Sequence, residues 1–349
     1  MSDTASCRSG ASMGTLPLTI VIPIYNVEEY LSQCLASLPT DGCRIVLVND
    51  GSTDSSRQIA ETYATTHRDA ILVDKPNGGL SDARNAGMKY VETPYVFFLD
   101  SDDWIDGEAL IDALEYMRTH QLDWLQCGYE YCYSDYGLTY RISPETRTIT
   151  RQEAMESLVT DGYIKNFAWG KIYRTEIIRG LTFPVGKHYE DSFWQYRVID
   201  RCKHLGIYPQ TTTFYRQRQS SISGSASARG LDLLEGLSGR LKYICGHYPD
   251  LQDRAAVNLW KTAMEYQTAN QSVPEIAGQY AAVVDEIKRT YSSKIEKGIA
   301  QLPQGQRYLM TAQYRGHYSV ARLLDFVQRV IDRMKPSEYI RTNYAEHSC

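Results

Sequence analysis

Two hydrophobic periods alternate along the first part of the chain. Leu16 to Tyr25 is a nearly continuous apolar run with TIVIPIY at its centre. Such a run reads as a strand buried on both faces, the habit of parallel sheets. Leu31, Cys34, Leu35 and Leu38 then recur at spacings of three and four, the stripe of an amphipathic helix. Asn26 is placed to cap that helix, and Glu28 and Glu29 fall in its positively polarised first turn. The pattern then repeats. Arg44 to Asn49 reads as a second strand, and Asp50-Gly51-Ser52-Thr53 is turn chemistry leading into a helix through Ala64. Ala70 to Val73 is a short third strand. Gly78-Gly79 breaks the chain before a helix from Leu80 to Val91. Tyr95 to Leu99, the fourth strand, runs into Asp100-Ser101-Asp102-Asp103.

This alternation predicts an α/β fold with an open, mostly parallel central sheet flanked by helices. Ligands of such sheets gather outside the carboxyl ends of the strands. The segments richest in chemistry all fall there: Pro23 to Asn26, Asp50 to Asp54, Pro76 to Asn85 and Asp100 to Asp103. Farther along come a helix after Asp106, an aromatic strand from Trp124 to Tyr133, a turn at Asp135-Tyr136-Gly137 and a helix from Arg151. Tyr189-Glu190-Asp191 opens a helix on which Phe193, Tyr196 and Ile199 recur. Two short strands are expected at Leu205 to Tyr208 and Thr211 to Tyr215, and a mobile loop at Ser220 to Ser227. From Leu231 onward the chain reads as helical. The expected division is a disordered tail at 1–16, an α/β domain at 17–225 and a C-terminal helical region at 226–349.

A net charge of -5 supplies no basic footprint for nucleic acid, so no nucleic-acid partner is expected. The eight cysteines are scattered without CxxC spacing, which favours reduced structural thiols over zinc ligands. The first sixteen residues lack the apolar core of a signal peptide, and no run reaches the roughly 20 apolar residues that span a bilayer. A cytoplasmic location follows as the expectation.

Three carboxylates within Asp100 to Asp103 repel one another unless solvent spreads them or a cation gathers them. They read either as a helix N-terminus or as a Mg²⁺ or Mn²⁺ site completed by substrate phosphates. Asp50 is either a turn residue or an acceptor for a base. Tyr25 is either core or a ring face for a flat ligand. Asn77-Gly78-Gly79 with Arg84 and Asn85 supplies bare amides and a guanidinium that suit phosphate, or is an ordinary loop. There is no GxGxxG after the first strand and no GxxxxGK[ST].

Taken together, IVIPIYN, VLVNDGSTD, KPNGGLSDARNAGM and YVFFLDSDDWI resemble the successive motifs of inverting family 2 glycosyltransferases with the GT-A fold. WGKIYR and YED extend the resemblance to about residue 220. The resemblance implies a GT-A-like catalytic domain and a role in surface-polysaccharide synthesis. It implies that Pro23, Tyr25 and Asn26 line the nucleobase pocket, that Asp50 accepts a hydrogen bond from the base, and that Arg84 and Asn85 lie near base or diphosphate. Asp100-Ser101-Asp102 matches the DxD motif, with Asp100 facing the ribose and the metal, Asp102 holding the metal, and Asp103 helping. Asp191 matches the catalytic base, and Trp169, Lys171 and Glu190 border the acceptor. The implied donor is a nucleotide-diphosphate sugar, a UDP-sugar by preference. The implied acceptor is a glycan or lipid-linked glycan, and the cofactor Mn²⁺ or Mg²⁺. Tyr215-Arg216-Gln217-Arg218 lacks the Trp of the processive QxxRW motif, which implies one sugar per encounter. The competing readings are a non-catalytic nucleotide-sugar-binding module and a sugar nucleotidyltransferase. The latter needs a basic glycine-rich loop where this chain has Pro23-Ile24-Tyr25-Asn26.

Near the C-terminus, Val320, Leu323, Leu324, Val327, Val330, Ile331 and Met334 form an apolar stripe among Arg315, Arg322, Arg329, Arg333 and Lys335. It reads as a helix packed on the domain, or as a peripheral contact with the inner face of the membrane.

Overall fold

The structure, a computed structural model, describes residues 16–39, 42–140, 142–218, 228–317, 319–320, 323–324 and 339–344. The expected tail, the Ser220 to Ser227 loop and most of the Val320 to Met334 stripe lie outside the described residues.

The first elements are β1 (Leu18–Ile24), α1 (Glu28–Ala36), β2 (Arg44–Asp50), α2 (Ser56–Thr66), β3 (Ala70–Lys75), α3 (Leu80–Met88) and β4 (Tyr95–Phe98). Their strands are parallel in the order β4-β1-β2-β3. Side chains of β1 alternate between two cores. Leu18, Ile20, Ile22 and Ile24 pack on the face that carries Leu31 and Leu35, while Val21 joins Val46, Val48 and Ala83 on the other. Burial on both faces explains the unbroken apolar runs. Pro23 stands beyond the last β1–β4 pair, Val21 with Phe98, so its missing N–H leaves no gap in that ladder.

The start of α1 differs from expectation. Asn26 does not cap it: the cap position is Val27, and Asn26 takes a left-handed φ of 49° that asparagine tolerates. Its Oδ1 accepts the Thr53 amide at 2.8 Å. The turn after β2 satisfies the helix instead, with Ser56 Oγ accepting Val27 N–H at 2.8 Å and Asp54 Oδ2 accepting Glu28 N–H at 3.1 Å.

Then follow β5 (Trp104–Ile105), α4 (Gly107–Thr119), β6 (Trp124–Cys132), β7 (Tyr136–Tyr140), β8 (Arg147–Ile149), α5 (Arg151–Val159), β9 (Lys171–Arg174), α6 (Thr175–Ile178), α7 (Asp191–Arg201) and β10 (Leu205–Arg216). β9 lies antiparallel between β4 and β6, and β10 runs parallel beside β6, so this half of the sheet is mixed. The two strands expected at 205–215 are one strand with register shifts after Tyr208. Pro209 interrupts the amide ladder there, and Gly128 opposite leaves room, since a Cβ would collide with the Pro209 carbonyl.

The chain closes with α8 (Gly230–His247), α9 (Gln252–Ala269), α10 (Pro274–Gln301), α11 (Gln304–Tyr314) and the edge strand β11 (Tyr339–Asn343), antiparallel to β7. Leu234, Leu237, Leu241 and Ile244 of α8 share one buried cluster with Trp194, Val198 and Ile199 of α7. Each such side chain stabilises the contact by about 1.5–3 kcal/mol of transfer free energy. The helices therefore extend the core of the sheet. Among the described residues no helix is long and apolar enough to cross a membrane.

Candidate active site

The carboxyl ends of the parallel strands open on a cleft of about 670 Å³. One wall comes from Pro23 to Tyr25, Asp50, Asn77 to Ser81 and Asp100 to Asp102. The facing wall comes from Gly186 to Asp191, Tyr215 and Arg218. A second hollow, of about 640 Å³, sits at the amino ends of the same strands, around Pro17, Arg44, Arg68 and Glu92. It holds an Arg44–Glu92 ion pair and no grouping suited to catalysis.

On the first wall Tyr25 leaves half of its surface open (50% exposed). Asp50 is buried and holds the glycine loop in shape. Its Oδ1 accepts Gly78 N–H at 2.9 Å and its Oδ2 accepts Gly79 N–H at 2.8 Å, with the Lys75 ammonium as ion partner. Lys75 also reaches Asp82 at 2.6 Å. Gly79 has φ of 85°, a backbone state that excludes most side chains.

Burial separates the three acidic residues after β4. Asp100 is 22% exposed at its side chain and accepts Arg84 Nη2 at 2.6 Å. Asp102 is 17% exposed and pairs with Arg218. Burial raises its pKa, with the Asp100 charge adding to the effect and Arg218 opposing it. Ser101, buried between them, also lines the cleft. Asp103 points away. It is fully buried, its Oδ1 accepts the Arg216 amide at 2.9 Å, and its Oδ2 has no hydrogen-bond partner among the described residues. Burial pushes its carboxyl well above the usual range, helped by Asp102 and Asp100. The expected helper is therefore an anchor for the end of β10. Arg216 Nε in turn donates to the Asp102 carbonyl at 3.0 Å, and the guanidinium groups of Arg216 and Arg218 lie 5.0 and 4.9 Å from the Tyr30 ring centre. The sequence singled out neither arginine as functional. Their spacing of two at a strand end, which sends side chains to one face, is the signal that was there.

Arg84 lies behind the cleft, 2% exposed, and bridges Asp100 on one wall to Glu190 on the other. Burial opposes its charge, but the two carboxylates outweigh burial and hold the guanidinium protonated. On the far wall, Asp191 begins α7 and is half-buried at the cleft. Burial, with the neighbouring Glu190 charge, pushes its carboxyl up to about 7, against the pull of Arg84 and Lys171. Tyr189, just before this pair, has a left-handed φ of 52°. A non-glycine residue in that state costs about 1–3 kcal/mol, so the surroundings must hold it there.

Four other expected site residues sit off the cleft lining. Asn26 tethers the turn after β2, as described above. Asn85 makes paired hydrogen bonds with the Phe183 backbone, both 2.9 Å, and so pins the segment leading to the far wall. Trp169 is buried and stacks parallel on Phe167 with ring centres 3.8 Å apart. Lys171 is fully buried. Its ammonium donates to the Phe167 carbonyl at 2.5 Å and lies 3.9 Å from that ring, and burial depresses its pKa well below the usual lysine value.

A divalent cation suits the donor set that remains. Asp100 and Asp102 present hard carboxylate oxygens on the cleft, and their mutual repulsion raises the Asp102 pKa. Among the described residues no group of three or more His, Cys, Asp or Glu side chains is arranged to hold a metal alone.

Residues 19–182 match the family model described as glycosyl transferase family 2. Glycosyltransferase GlyA of Streptococcus pneumoniae is 29% identical over 266 residues, covering 72% of this chain and 38% of the relative. The poly(ribitol-phosphate) beta-N-acetylglucosaminyltransferase TarS of Staphylococcus aureus is 27% identical over 231 residues, covering 63% of this chain and 39% of the relative. The chain thus spans less than half the length of either. The crystal structure of S. aureus TarS 1–349 in complex with UDP-GlcNAc superposes with a TM-score of 0.67 at 20% identity, over 89% of this chain and 91% of that one. That likeness concerns the fold.

Proposed function

We propose that the chain, whose residues 19–182 match the glycosyl transferase family 2 model, is a family 2 glycosyltransferase of GT-A architecture that moves one sugar from a UDP-sugar to a hydroxyl of a glycan or lipid-linked glycan, with inversion. The observation that carries this reading is the facing of two unlike acidic groups across one cleft. Asp100 and Asp102 stand on one wall, and Asp191, poised at about 7, stands on the other.

In this reading the Tyr25 ring offers its open face to the nucleobase, beside the Asn77–Ser81 loop that Asp50 holds in shape. Asp102 and Asp100 would hold Mg²⁺ or Mn²⁺ on this wall of the cleft. The cation, when bound, stabilises negative charge on the departing diphosphate as a Lewis acid. Arg218 supplies a further positive group beside Asp102. Asp191 takes the proton of the acceptor hydroxyl while that oxygen bonds to the anomeric carbon and the carbon–oxygen bond to the diphosphate breaks. A pKa near neutrality suits this task, worth roughly 10²–10⁴-fold. Attack opposite the leaving group inverts the anomeric centre. The UDP-GlcNAc complex of TarS supports a UDP-linked donor, and the poly(ribitol-phosphate) in that relative's name supports a polymer that presents hydroxyl groups as acceptor.

The test is a screen of nucleotide sugars with Mn²⁺, Mg²⁺ or chelator, using full-length protein and reading released nucleotide. Cation-dependent release of free UDP is expected, and Asp102→Asn should bring it below detection with the circular dichroism spectrum retained. Pyrophosphate release would establish nucleotidyl transfer instead, and binding without turnover of any donor a non-catalytic module.

A further inference from the structure

The segment that carries Glu190 and Asp191 is gripped from outside by the C-terminal helices. Lys187 Nζ reaches Asp232 at 3.0 Å and Glu235 at 2.6 Å, both on α8. The His188 amide donates to Asp232 Oδ2 at 3.0 Å. The Tyr189 hydroxyl lies 3.1 Å from the Tyr266 hydroxyl of α9, with the two rings edge to face. Two helix positions are shaped to allow this approach. A Cβ at Gly236 would collide with Ser192 Oγ, and one at Gly230 with the Tyr266 ring.

Tyr189 is the corner of this segment. Its carbonyl accepts the Ser192 amide at 3.0 Å and the Ser192 hydroxyl at 2.7 Å, which fixes how α7 starts and where Asp191 sits in its first turn. The left-handed backbone of a tyrosine does not persist without support. The support visible here is the hydroxyl contact with Tyr266 on one side and the Asp232 grip on the His188 amide on the other.

We propose that α8 and α9 set the geometry of the catalytic base, with Tyr266 and Asp232 as positioning residues that act through Tyr189 and His188. This rests on the reading of Asp191 as the base. It gives the helical region a part in the reaction that its distance from the donor wall would not indicate. A displacement of the base by a fraction of an ångström lowers the rate of proton removal while leaving donor contacts alone.

The experiment uses Tyr266→Phe and Tyr189→Phe, alone and together, in the full chain. Each removes one hydroxyl and keeps both rings. The expected result is a fall in kcat of about tenfold for either variant, with donor KM within about twofold. The double variant should be no slower than the worse single one, because one contact is lost in all three. Amide exchange at residues 187–192 should quicken without a matching fall in the thermal midpoint. Unchanged kcat and unchanged exchange would overturn the proposal, as would additive losses that track stability. Asp191→Asn is run beside them. If that variant transfers sugar normally, the base assignment fails, while the exchange data still decide the brace. Should a tyrosine variant not fold, Asp232→Asn carries the same expectations for kcat, KM and exchange.

Discussion

The two walls of the cleft are held in different ways. On the donor wall, the loops after β1, β2 and β3 are fixed by one another within the parallel unit, and only the loop after β4 is tied from farther off, by Arg216 and Arg218. Asp50 ties down Gly78 and Gly79, fewer than 30 residues ahead, and the β2–α2 turn caps α1 across a similar span. On the base wall the supports come from far along the chain. His188 reaches 44 residues to Asp232, Tyr189 reaches 77 to Tyr266, and Arg218 reaches back 116 to Asp102. A wall fixed locally can be complete when its strands pair. A wall fixed remotely is complete only when the whole chain has packed, and small changes elsewhere can move it.

The largest expected effect tests whether the walls divide the chemistry. Asp191→Asn keeps size and removes the proton acceptor. Transfer should fall by roughly 10²–10⁴-fold while calorimetric donor affinity survives. Equal losses in both would erase the division and leave Asp191 a structural residue of α7. Next comes a buried side chain that joins the walls. Arg84→Met leaves the Asp100 and Glu190 carboxylates facing each other in a poorly hydrated place, a loss of about 3 kcal/mol in denaturant-measured stability. A variant as stable as the parent would mean that the walls stand independently. The smallest effect sharpens the base wall itself. In the proposed reaction Asp191 works as a carboxylate, so activity should be lost as pH falls through about 7. Glu190→Gln removes a negative neighbour and one of the two carboxylates that share the Arg84 charge, leaving more of that charge to act on Asp191. Both changes lower the Asp191 pKa, so the acidic limb of kcat/KM should move to lower pH. An unmoved or upward-shifted limb would show that another group titrates.

The same contrast governs what could be read from the sequence. β1 to β4 announced themselves because burial on both faces demands unbroken apolar runs. β7 and β8 did not, since strands of five and three residues with one open face carry too little pattern. β9 was visible only as the WGKIYR motif, and β10 looked like two strands because Pro209 divides it. In the site, the carboxylate cluster after β4 was legible as a cluster. Its members were not distinguishable: the burial that turns Asp103 into an anchor is set by Arg216, more than a hundred residues away. Arg84 was legible as a cation near the cleft, whereas its bridge to Glu190 is a matter of tertiary distance that no spacing encodes. Asn26 was misread because its side chain suits two tasks, helix capping and a left-handed turn, and the neighbouring loop had already supplied the cap.

The apolar cluster that α8 shares with α7 has one more consequence, for how such a chain can drift. Leu237 and Leu241 are not among the residues that line the cleft, yet they share a buried cluster with the helix whose first turn holds Asp191. On the proposed reading of Asp191 as the base, repacking there changes the angle at which its carboxylate meets the acceptor hydroxyl. Selection on the reaction therefore reaches into the buried stripe of a helix with no chemistry of its own. A substitution tolerated for volume alone on α10 or α11 faces a second filter on α8.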